Sequence, residues 1–85
     1  MTDDTILELA RLRDRAVRIV DSDASWETKY ELVFSKDLSR KVWELDSGFD
    51  YYDPDTTYED DVRAFVDALQ ERVAELEKTF MANPS

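Results

Sequence analysis

The chain has 85 residues, with 21 acidic and 11 basic side chains, no histidine and no cysteine, for a formal net charge of −10. A chain this short buries roughly 60% of the surface it exposes when unfolded, so it builds one modest core. The missing residue types exclude disulfides, thiolate nucleophiles and cysteine metal sites, and they remove the imidazole that most often serves as base or metal ligand near neutral pH.

One glycine and two prolines argue against a turn-rich all-β chain and for long helices. The expected fold is all-α: one domain over 1–85, a three-helix bundle with helices at about 3–20, 25–45 and 57–80, a loop at 46–56 and a frayed tail at 81–85. In the first helix Ile6, Leu9, Leu12, Ala16, Ile19 and Val20 recur at helical spacing, and Thr2 or Asp3 suits the N-cap. Arg13 falls near the apolar face, where its stem can pack and its head reach water. Arg11, Arg15 and Arg18 line another face, within pairing distance of Glu8 and Asp14.

The polar run DSDAS (21–25) breaks the pattern, and Asp23 or Ser25 suits the next cap. Trp26, Tyr30, Val33, Phe34, Leu38, Val42 and Leu45 then fall on one broad stripe, with Leu32 and Trp43 off it. In DSGFDYYDPDT (46–56), Gly48 stands where a helix C-cap is wanted and Pro54 disfavours helix at Asp53. The rings of Phe49, Tyr51 and Tyr52 are expected to tuck against the bundle while the neighbouring carboxylates stay wet.

Thr56 followed three residues later by Glu59 reads as a capping box for the last helix, and Glu59, Asp60 and Asp61 load its first turn with the charge the helix dipole favours. Val62, Val66, Leu69, Val73, Leu76 and Phe80 then recur in steps of four and three, a heptad-like seam that suits an oligomer.

The charge is uneven. Residues 1–20 are neutral overall, 21–45 carry −2, 46–61 hold seven acids and no base, and 62–85 carry −1. Such a field repels nucleic acid and anionic membranes and draws basic partners inward. The candidate partner-binding residues are Asp50, Tyr51, Tyr52, Asp53, Asp55, Tyr58, Glu59, Asp60 and Asp61, the carboxylates supplying charge and the tyrosines contact area. The plain alternative is a solvated loop leading into a well-capped helix.

Other chemistries fit less well. Asp53, Asp55 and Thr57 alternate like the first ligands of a calcium loop, but Tyr58 stands where that loop needs glycine and Ala64 where it needs a bidentate glutamate, so no metal is expected. Among 21 acids, carboxylate pairs arise by chance and no pocket is indicated to perturb one, so neither an enzyme nor a cofactor is expected. Asp67, Glu71 and Glu75 form an acidic row on the last helix that reads as a solvated face. The basic row of Arg11, Arg15 and Arg18, joined by Lys29, is an alternative anion-binding set through the fork geometry of guanidinium.

The stretches WETKYELVFS (26–35) and DYYDPDTTYEDDVRAFV (50–66) resemble small acidic helical proteins encoded by tailed phages, of the anti-CRISPR and anti-defence type. That resemblance implies an inhibitor in phage–host conflict, some members of the group being nucleic-acid mimics, and it transfers no individual residue's role. The expected function is thus a cytoplasmic, non-catalytic inhibitor or adaptor docking on a basic, nucleic-acid-binding protein, with no direct nucleic-acid or membrane contact. The alternatives are a homo-oligomeric sponge for a nucleotide signal and a structural self-assembly module.

Overall fold

The computed structural model describes residues 2–81, and the tail expected to fray lies outside them apart from Met81. Four α-helices follow in order: α1 (Asp3–Asp21), α2 (Trp26–Val33), α3 (Ser39–Leu45) and α4 (Tyr58–Leu76), the last running on into a short π-helical segment, Glu77–Met81. No strand occurs among the described residues. The all-α expectation agrees with this architecture, but the helix count does not.

The caps set the boundaries. Thr2 caps α1 by accepting from the Thr5 N–H at 3.2 Å, and Ser25 caps α2 in the same way from Thr28. The α4 cap is displaced by one residue from the expected box. Thr57 accepts from the Asp60 N–H at 3.1 Å, and the Asp60 carboxylate takes a hydrogen bond from the Thr56 hydroxyl at 2.8 Å. Asp60 therefore holds the position expected for Glu59, and Glu59 turns instead to Arg63 at 2.8 Å.

The expected helix over 25–45 is two helices. The chain leaves helical geometry at Phe34 and Leu38. Serine hydroxyls compete with the backbone there. Ser35 donates to the Leu32 carbonyl at 3.0 Å, and Ser39 donates to the Ser35 carbonyl, which also accepts from the Arg40 N–H. An unbroken helix of this length would run about 30 Å in one direction. The break instead lets α2 pack on α1 and α4, turns α3 onto α1, and buries both Leu38 and Val42 fully.

Ile6, Leu9, Leu12 and Ala16 of α1 face Val62, Phe65, Val66, Leu69, Val73 and Leu76 of α4 across the core, closed by Val33, Leu38, Val42 and Phe49. The end of α1 lies beside the start of α4, because Val17, Val20 and Asp21 share a cleft with Arg63, Val66 and Gln70. Arg13, earlier in α1, meets Glu77 beyond the end of α4 at 3.1 Å. The two long helices are therefore antiparallel.

This packing corrects the reading of the heptad-like seam. Val62, Val66, Leu69, Val73 and Leu76 are buried within their own chain, so they offer no face to a second copy in this conformation, and of the six only Phe80 is exposed. The period of the seam reflects α4 crossing the chain's own core.

Gly48 also differs from expectation. It has no positive φ, and Asp46 occupies the C-cap of α3. Its role is close approach: a Cβ there would sit 3.3 Å from a guanidinium nitrogen of Arg72 and 3.4 Å from a carboxylate oxygen of Asp46.

Candidate functional site

The segment between α3 and α4 is acidic, yet it is anchored at several points. Asp46 is only 3% exposed and holds Arg72 of α4 through two hydrogen bonds, of 2.6 and 3.1 Å. The guanidinium, chiefly by hydrogen bonding and also by its charge, keeps the Asp46 carboxyl below the ordinary carboxylate value. The carboxylate also accepts from the Gly48 N–H at 3.1 Å. Asp46 is thus a structural residue, and its charge is neutralised within the molecule.

Aromatic rings provide the second anchor. Phe65 of α4 packs against Phe34, Trp43, Phe49 and Tyr51, with ring centroids 5.3–5.7 Å apart. The Trp43 indole N–H donates to the Phe49 carbonyl at 3.2 Å, which fixes the loop backbone to α3. Tyr51 is half-buried, and its hydroxyl is pushed up to about 12 by that burial and by the charges of Asp53 and Asp61. Of the three rings expected to tuck in, Phe49 and Tyr51 do so, while Tyr52 stands 84% exposed.

The third anchor is a turn at Asp53–Pro54–Asp55. Asp55 has φ 51°, the left-handed region that costs a non-glycine residue strain but suits Asp and Asn best among the others. Its N–H is shared between carboxylate oxygens of Asp53 at 3.1 Å and Asp61 at 3.0 Å. Partial burial, followed by the hydrogen bond and charge of Asp53, raises the Asp61 carboxyl above its ordinary value. Two carboxylates are therefore held around one N–H, and among the described residues neither pairs with a basic side chain.

The nine candidate partner-binding residues occupy this segment and the first turn of α4. Asp50, Tyr52, Asp53, Asp55, Tyr58 and Asp60 are exposed, and Tyr51, Glu59 and Asp61 are partly buried. Glu59 is paired with Arg63, but Asp50, Asp53, Asp55, Asp60 and Asp61 form no ion pair among the described residues. Tyr30 of α2 joins this segment unexpectedly: its ring lies 5.1 Å from that of Tyr58 and, with Asp55, Thr56, Thr57 and Asp61, lines a shallow cleft beside the loop. Tyr30 lies on the stripe read as core, which concealed this contact.

The alternative anion-binding set does not come together. Lys29 is 6% exposed, and its ammonium donates to the Val20 carbonyl at 2.6 Å while lying 4.2 Å from the Trp26 ring. It therefore caps the end of α1 from within the fold. Trp26 also receives the Arg63 guanidinium at 4.8 Å, so that ring is in contact with two of the chain's own cations. Arg11, Arg15 and Arg18 remain exposed on α1. Asp14, expected near Arg18, pairs with Arg13 at 3.0 Å.

Among the described residues no group of three or more acidic side chains is placed to share a metal ion, and no helix is long and apolar enough to cross a membrane. Comparison with protein-family models, with characterised proteins and with solved structures finds no match. What the fold and site define is a class: a small, acidic, all-helical protein with an anchored, unneutralised carboxylate surface.

Proposed function

We propose that this protein is a non-catalytic binding protein whose 50–61 surface docks on a basic protein, acting as a stoichiometric inhibitor or adaptor. The observation that carries this reading is the state of the carboxylates. Among the described residues Asp50, Asp53, Asp55, Asp60 and Asp61 form no ion pair, although the chain holds 11 basic side chains and pairs Arg13 and Arg72 outside this surface. Holding like charges together without counterions costs stability, and a basic partner relieves that cost on binding. The anchors at Asp46, Phe49 and Tyr51 fix the loop beforehand, so little ordering entropy opposes association. Exposed Tyr52 and Tyr58 supply the contact area.

The resemblance of residues 26–35 and 50–66 to small acidic phage proteins supports a setting in anti-defence against a nucleic-acid-binding host protein.

Affinity capture from nuclease-treated bacterial lysate tests the reading. The wild-type chain is compared with a variant carrying Asp50→Asn, Asp53→Asn, Asp55→Asn, Asp60→Asn and Asp61→Asn, after circular dichroism has shown equal helicity. Enrichment of a basic protein by the wild type and its loss with the variant is the expected result. Equal capture by both chains would sink the proposal.

A further inference from the structure

We propose that two copies of this chain associate through their outer helix faces, the arginine row of α1 on one copy seating against the carboxylate row of α4 on the other. The α1 row is Arg11, Arg15 and Arg18, at i, i+4 and i+7, on the side away from the buried Leu9, Leu12 and Ala16. Arg15 and Arg18 form no ion pair among the described residues, and Arg11 has only a 3.8 Å contact with Glu8. The nearest acid in sequence, Asp14, is held by Arg13.

The α4 row is Asp67, Glu71 and Glu75, at i, i+4 and i+8, on the side away from the buried Val66, Leu69 and Val73. All three are exposed, and none forms an ion pair among the described residues. At the rise of an α-helix the arginine row spans about 10 Å and the carboxylate row about 12 Å, so side chains of this length can meet three on three. The two rows cannot pair within one chain, because α1 and α4 face each other through their apolar sides and turn these faces outward. Leu7, 46% exposed, lies one turn before Arg11 and adds apolar contact to the same face. Charge complementarity therefore selects a second copy as the occupant. Because the two surfaces differ, the contact is heterologous unless a two-fold axis pairs it reciprocally.

The rows lie outside residues 50–61, so this inference stands or falls separately from the docking surface. The test is sedimentation velocity over a concentration series extending to millimolar, at low and at high salt. One variant carries Arg11→Glu, Arg15→Glu and Arg18→Glu, and the other carries Asp67→Lys, Glu71→Lys and Glu75→Lys. Each is checked for helicity, with Arg15→Glu and Glu71→Lys as a milder pair if a triple variant unfolds. The wild type is expected to self-associate at low salt and dissociate at high salt. Each variant alone is expected to be monomeric, and their equimolar mixture to re-form a complex. A wild type that is monomeric throughout, or a mixture that fails to associate, overturns the proposal. So does a monomeric wild type whose arginine resonances shift on adding inorganic phosphate, since the row would then be an anion site.

Discussion

The Asp46–Arg72 pair shows how closely a single residue here is tied to its neighbours. Arg72→Met keeps the stem packing but leaves a carboxylate nearly out of water without its cation, with only the Gly48 N–H still donating to it, which is expected to cost about 3 kcal/mol in urea unfolding. The pair also sets a pH dependence. Because the folded Asp46 carboxyl lies below its ordinary value of 3.8, its contribution is fully present above that pH and is lost as pH falls through the folded value. Asp61 acts in the opposite sense. Its raised carboxyl favours the folded state at low pH, and that advantage fades as pH climbs from 3.8 through the raised value. Acid titration of wild type and Asp46→Asn is expected to show the low-pH loss only in the wild type. Thr57 gives a second test, since Thr57→Ala removes the α4 cap at about 1 kcal/mol while Thr56→Ala, whose hydroxyl meets only an exposed carboxylate, is expected to be nearly neutral. Equal losses at the two threonines would contradict the cap seen here. The N-caps of α1, α2 and α4 were legible in the sequence to within one residue, whereas the C-cap expected at Gly48 falls at Asp46. The Asp46–Arg72 pair was not, because the two lie 26 positions apart and nothing local marks Asp46 as different from the other acids of its loop.

At the scale of elements, α1 and α4 were legible because their apolar positions repeat without interruption and polar caps stand in front of them. The break between α2 and α3 was not. The stripe from Trp26 to Leu45 keeps helical spacing across Ser35, and only tertiary packing shows that Leu38 and Val42 reach the core by leaving that line. Similarly, the heptad-like repeat in α4 carries no label saying whether its partner is another copy or the same chain. Phe65 is where these elements meet. Its ring contacts α3 through Trp43, the loop through Phe49 and Tyr51, and the end of α2 through Phe34. Phe65→Ala is expected to cost about 4 kcal/mol and to free the loop along with the core, so amide exchange at residues 49–55 should rise in the same variant. Loss of stability with an unchanged loop would show that the aromatic anchor does not hold it.

At the scale of the molecule, charge is sorted by location. Arg13 and Arg72 hold elements together through ion pairs, Arg63 joins α4 to the Trp26 ring of α2, and Lys29 closes the end of α1. The net −10 is left concentrated on the α3–α4 segment, with a smaller row on the outside of α4. The sequence showed where that acidity lies, but not which acids are satisfied, since that depends on contacts between distant helices. Asp46 and Glu59 drop out of the unpaired set, held by Arg72 and Arg63, whereas Asp50, Asp53, Asp55, Asp60 and Asp61 remain in it among the described residues. Restoring charge one residue at a time to the neutralised variant should therefore recover binding in increments, and Asp46→Asn should weaken binding only as far as it weakens the fold.

The salt dependence of affinity for the captured basic protein is the measurement to make first, comparing wild type with the five-residue Asn variant. Docking through unpaired carboxylates predicts that wild-type affinity falls steeply as salt rises, and that the variant binds weakly with a shallow dependence. Equal slopes for the two chains would contradict it and would place the partner's contact elsewhere on the molecule.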